Sequence, residues 1–129
     1  MRQIIFRGTV FSGKGEGRKF IALPWVKRQI EEKLGFTPYL GTLNLRLNEE
    51  NAKQKGLLDK AGDFEISPEK GFCRGILIKA VLEGVECVIV MPQIADYPRN
   101  VLEVIAARNL RERFKLVDGS EVNVKVMVR

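Results

Sequence analysis

Two apolar runs rich in Ile and Val, Phe72–Leu82 and Val85–Met91, are separated only by Glu83-Gly84. A two-residue loop ending in glycine suits the tight turns that match strand twist, so this spacing predicts a β-hairpin. An antiparallel sheet must then form around it, and other segments offer partners. Gln3–Phe11 reads as a strand in which Ile4, Phe6 and Val10 alternate with polar or small residues. Thr42–Leu47 alternates too: Leu43, Leu45 and Leu47 share one face, and Thr42, Asn44 and Arg46 share the other. Asp118-Gly119 signals a turn. Beyond it, Glu121–Val128 puts Val122, Val124, Val126 and Val128 on one face.

Helical signals are fewer. Pro24 fits a first helical position, and Val26, Ile30 and Leu34 repeat at helical spacing before Gly35, which fits the terminating position. Asn109–Phe114 also reads as helix. Lys19–Leu23 reads as a second strand, Asn48–Gly62 as a loop with a short helical turn, and Pro92–Arg99 as a loop. Val101–Ala107 is apolar and fits either strand or helix. At 129 residues, 45% of them hydrophobic, the chain is expected to be one domain over 1–129. About six short strands with one or two short helices predict a mainly β fold closed into a small barrel, which removes exposed strand edges.

The chain has no histidine, which removes the usual general base and metal ligand. Chemistry must use carboxylates, lysines, hydroxyls, backbone amides or a bound ion. Cys73 and Cys87 form no CxxC pair and read as ordinary buried thiols. The net charge of +6 favours an anionic partner. No apolar run approaches the ~20 residues of a membrane span, and no signal peptide is read, so a cytoplasmic location is expected.

Three motifs could carry chemistry. Gly13-Lys14-Gly15-Glu16-Gly17-Arg18 places glycines at alternate positions beside basic residues. Such a turn can form an anion nest of backbone N–H groups, and reads equally as a flexible basic hairpin turn. It is neither a GxxxxGK[ST] loop nor a dinucleotide fingerprint, since a strand is expected after it. Thr42 and Asn44 lie two strand residues apart, about 6.6 Å in Cα spacing. A hydroxyl and an amide oxygen so placed can converge on a hard cation such as Mg²⁺; Thr also simply favours strands, and Asn turns. Arg108-Asn109-Leu110-Arg111 opens a helix and could clamp phosphates, or be a solvated basic face. Glu103, inside an apolar segment, is either exposed or aimed into a pocket.

In order along the chain, SGKGEGRKF (Ser12–Phe20), LGFTPYLGTLNLRL (Leu34–Leu47), VIVMP (Val88–Pro92), DYP (Asp96–Pro98), LEVIA (Leu102–Ala106), NLRERF (Asn109–Phe114) and LVDGSEV (Leu116–Val122) resemble the archaeal CTP-dependent riboflavin kinases. The resemblance covers nearly the whole chain. It implies a cradle-loop (RIFT-like) barrel and transfer of the CTP γ-phosphate to the 5′-hydroxyl of riboflavin, giving FMN and CDP. By position it implies nucleotide binding by Gly13, Lys14, Gly15, Glu16, Gly17 and Arg18 with Arg108, Asn109, Leu110 and Arg111. It further implies Mg²⁺ on Thr42 and Asn44, and flavin contact by Glu103. No residue stands out as the general base. The chain departs from the family at Ala95, where a threonine commonly contacts the flavin, and at Ala107, where proline is common. The extra N-terminal DNA-binding domain of some members is not expected here. A small-barrel DNA-binding regulator and a non-catalytic flavin-binding module are the alternatives. Nucleic acid is not expected as a partner, because the basic residues are dispersed among acids.

Overall fold

The computed structural model describes residues 2–13, 16–60, 62, 64–69, 71 and 73–128, with backbone alone at Glu16, Gly17, Asp59 and Lys60. Its strands are β1 (Arg2–Phe11), β2 (Leu43–Leu47), β3 (Phe64–Ile66), β4 (Gly75–Leu82), β5 (Val85–Pro92), β6 (Val101–Ile105) and β7 (Glu121–Val128). The helices are α1 (Glu16–Ala22), α2 (Pro24–Leu34), α3 (Glu49–Lys55), followed by a 3₁₀ turn at Gly56–Lys60, and α4 (Leu110–Phe114). The strands run antiparallel in the order β4-β5-β6-β2-β1-β7, and β7 returns to β4 through Val81↔Lys125 and Leu82↔Val124. Six strands thus close a barrel, the mainly β fold that the sequence predicts, and β3 adds to the other end of β4.

Strand alternation explains the two packed layers. Phe6, Leu45, Ile89, Leu102 and Val124 point into the barrel. Val88, Val90 and Ile105 point outward and are covered by Phe20, Ile21, Trp25, Val26 and Ile30 from α1 and α2. β5 is therefore buried on both faces, which is why its sequence reads as a continuous apolar run. The hairpin turn forms as predicted, with Glu83 and Gly84 at φ 46° and 82°. Gly35 ends α2 at φ 76°, its N–H donating to the Glu31 carbonyl.

Three segments differ from the expectation. Lys19–Leu23 is not a strand; Lys19–Ala22 belongs to α1. Phe20 and Ile21 are adjacent and both buried. A strand would point them to opposite faces, whereas a helix lets both lie on one broad apolar side. Glu16 and Gly17, the end of the glycine motif, thus open a helix where a strand was expected to follow. In Asn48–Gly62 most of the segment is helical: the Asn48 side chain caps α3 by accepting from the Asn51 N–H. β3 is too short to show a period. Val101–Ala107, open between strand and helix, resolves to β6 over Val101–Ile105. Phe72 lies outside the described residues. No helix among the described residues is long and apolar enough to cross a membrane.

Candidate active site

β2 holds the site together. Its leucines fill the barrel and turn Asn44 and Arg46 to the outside. β1 flanks it on one side with Phe11 opposite Asn44, and β6 on the other with Glu103 opposite Asn44. Glu103 is only 2% exposed. Burial of a carboxylate is costly without partners, and two hydroxyls supply them. Thr42 Oγ1 donates to Glu103 Oε1 at 2.9 Å, and the Tyr97 hydroxyl donates to Oε2. Of the two positions the sequence allowed, Glu103 takes the pocket.

Two clefts adjoin this strand. The larger, ≈ 630 Å³, is lined by Asn44 and Glu103 together with Phe11, Gly13, Arg46 and the loop Ile94–Pro98. Arg46 stacks its guanidinium 4.2 Å from the Phe11 ring centroid there. Ala95, the departure from the resembled family, is on this wall. The smaller cleft, ≈ 200 Å³, is lined by Arg18, Thr42, Arg108, Asn109, Leu110 and Arg111, with Tyr39 and Gly41 among its other residues. Its lining contains three arginines and no carboxylate, so it favours an anion. Thr42 lines one cleft and Asn44 the other.

The fold thus brings Arg18 to Arg108–Arg111 across ninety residues of sequence. Gly13 faces Asn44: a Cβ at this glycine would stand 3.0 Å from the Asn44 amide carbon. Lys14 and Gly15 lie outside the described residues, and Glu16 and Gly17 open α1. Two residues of the second basic motif have structural partners. Asn109 caps α4 by accepting from the Glu112 N–H at 3.2 Å and donates to the Tyr39 hydroxyl. Arg111 donates to Asp118 at 2.9 Å and to the Phe11 carbonyl at 3.1 Å. Arg111, and then the Ser12 hydroxyl, hold the Asp118 carboxyl below the usual carboxylate range. This latch ties the end of β1 to α4. Ala107 falls in the exposed bend between β6 and α4.

The donor set fits Mg²⁺. Thr42 and Asn44 offer oxygen, the ligand that ion takes, and Thr42 directs its proton to Glu103, leaving its lone pairs to a cation. Among the described residues no group of three or more His, Cys, Asp or Glu forms an all-protein cage. The sequence alone does not identify Tyr97 as part of the site. Tyr97 falls in the DYP stretch, but nothing in one dimension places its hydroxyl on Glu103.

A family model for CTP-dependent riboflavin kinases, described as domain of unknown function DUF120, matches residues 10–126. A protein named riboflavin kinase from Archaeoglobus fulgidus is 39% identical over 97% of this chain and 55% of its own length. One of the same name from Methanocorpusculum labreanum is 36% identical over 96% of this chain and 58% of its length. Another from Pyrobaculum aerophilum is 39% identical over 94% and 60%. The chain spans a little over half the length of these relatives. It belongs to the CTP-dependent riboflavin kinase family.

Proposed function

We propose that this chain is a riboflavin kinase that moves the γ-phosphate of CTP to the riboflavin 5′-hydroxyl, giving FMN and CDP. The observation that carries the reading is the meeting of an arginine-lined cleft and a larger mixed cleft at Thr42 and Asn44. Membership of the family supports riboflavin as acceptor, and the family's name supports CTP as donor.

In this reading Arg18 and Arg108 receive the triphosphate with the Gly13–Gly17 stretch, and Arg111 keeps the end of β1 beside α4. Asn109 and Leu110 shape the floor of the same cleft. Riboflavin occupies the larger cleft with Glu103 on its ribityl side and Ala95 on the facing loop. Phosphoryl transfer depends on in-line positioning and charge neutralisation more than on covalent help. Thr42 and Asn44 would hold Mg²⁺, which supplies charge neutralisation at the phosphates. The 5′-oxygen forms the new P–O bond as the bond from the γ-phosphorus to the bridging oxygen breaks, that oxygen leaves with CDP, and the hydroxyl proton is released to solvent.

The test is riboflavin phosphorylation with CTP, UTP, ATP and GTP in parallel, with and without Mg²⁺. FMN is expected with CTP and Mg²⁺. Yellow, flavin-bound protein that makes FMN with none of the four would instead establish a binding module.

A further inference from the structure

Glu103 is held from both sides, by Thr42 and by Tyr97, which both line the clefts already described. Behind the Tyr97 ring the contacts continue to α3. There Lys55 is 6% exposed. Its ammonium donates to the Pro98 carbonyl at 3.3 Å and the Val101 carbonyl at 2.5 Å. It also lies 4.8 Å from the centroid of the Tyr97 ring. An ammonium is costly to bury, and an apolar residue would fill the space under α3 at lower cost. The cation is directed instead at the segment 97–101, which carries the outer wall of the ≈ 630 Å³ cleft into β6.

The helix that presents Lys55 is itself fixed to the barrel. Asn51, also buried, accepts from the Arg7 N–H at 3.1 Å and donates to the Ile5 carbonyl at 3.2 Å. A continuous set of contacts therefore runs from β1 through Asn51, α3, Lys55 and Tyr97 to Glu103 and Thr42. We propose that Lys55 is a positioning residue for the acceptor side of the site. It fixes the wall loop and sets the Tyr97 hydroxyl against Glu103, so that the carboxylate meets riboflavin in one orientation. This rests on the proposed function, in which Glu103 contacts riboflavin.

A purely structural lysine would lower the melting temperature and leave the balance between substrates unchanged. Lys55→Met separates the cases, compared with wild type at a temperature where circular dichroism shows both folded. Two quantities are read: steady-state KM for riboflavin and for CTP, and riboflavin affinity from quenching of flavin fluorescence. Riboflavin KM and Kd should rise about tenfold, the loss of one hydrogen bond in orientation energy, while the CTP KM stays within about twofold. Unchanged riboflavin affinity, or an equal rise in both KM values, overturns the proposal. If Lys55→Met does not fold, Lys55→Gln carries the same test, because it keeps a polar donor under α3 and removes the ammonium directed at the 97–101 segment. A wild type that binds riboflavin without making FMN overturns the kinase reading, and the Kd comparison still decides on Lys55. A wild type that does not bind riboflavin overturns both.

Discussion

A carboxylate on an apolar strand needs partners, and Glu103 finds them in residues distant along the chain: Thr42, 61 positions before it, and Tyr97 in the preceding loop. Its residue type was visible in the sequence, but those partners were not, because only the strand order of the sheet brings β2 beside β6. Ala95 can be tested at the same scale. It lines the larger cleft without a hydroxyl, so if riboflavin binds there as proposed, Ala95→Thr should lower the riboflavin KM by about two- to tenfold, one hydrogen bond's worth. An unchanged KM would mean that position 95 does not reach the flavin. The thiols give a second check. Burial pushes the Cys87 thiol up to about 12, only partly offset by a backbone hydrogen bond from Leu82, whereas Cys73 is half-buried. At pH 8 a thiol reagent should modify one cysteine in the native protein and both after denaturation. The linkage has a definite sign: between 9.0, the ordinary value, and about 12, the unfolded chain loses this proton and the folded one keeps it. Stability should therefore fall as pH rises through that window, by up to about 1.4 kcal/mol per pH unit from this group. Two fast-reacting thiols in folded protein would contradict the burial.

At the scale of elements, turn chemistry was legible and short helices were not. Glu83-Gly84 and Gly35 announce their structures because positive φ favours glycine at one defined position. β7 announces itself by strict alternation. α1 was misread because a short apolar run has no decisive period. α3 read only as a short helical turn because two of the three side chains it buries, Asn51 and Lys55, are polar. Polar residues buried for their hydrogen bonds leave no hydrophobic pattern to find. The consequence for α1 is testable. Its Phe20 ring packs edge-on to Trp25, centroids 6.2 Å apart, and rests on Gly75 of β4. A Cβ at Gly75 would stand 2.7 Å from the ring. Gly75→Val should thus destabilise the fold by about 1–3 kcal/mol, as overpacking does. Because α1 carries Arg18, the CTP KM should rise as well. A melting temperature equal to wild type would mean that α1 does not pack there.

Over the whole molecule, the barrel gives each strand an inner and an outer face, and the site uses the outer face of one strand. β2 seals the core with Leu43, Leu45 and Leu47 and, on the same five residues, presents Asn44 to the larger cleft. The antiparallel barrel and the resemblance to the kinase family were both readable from ordered motifs. The division into two clefts that share β2 was not, since it depends on register: Phe11, Asn44 and Glu103 are level across three strands. The most direct test is the rate of FMN formation from riboflavin and CTP by wild type and Asn44→Ala, at saturating Mg²⁺. FMN is expected from the wild type, with a rate about a hundredfold lower in the variant, as for other preorganised charge-stabilising groups, and riboflavin binding retained. A folded Asn44→Ala protein that turns over near the wild-type rate would contradict transfer across β2.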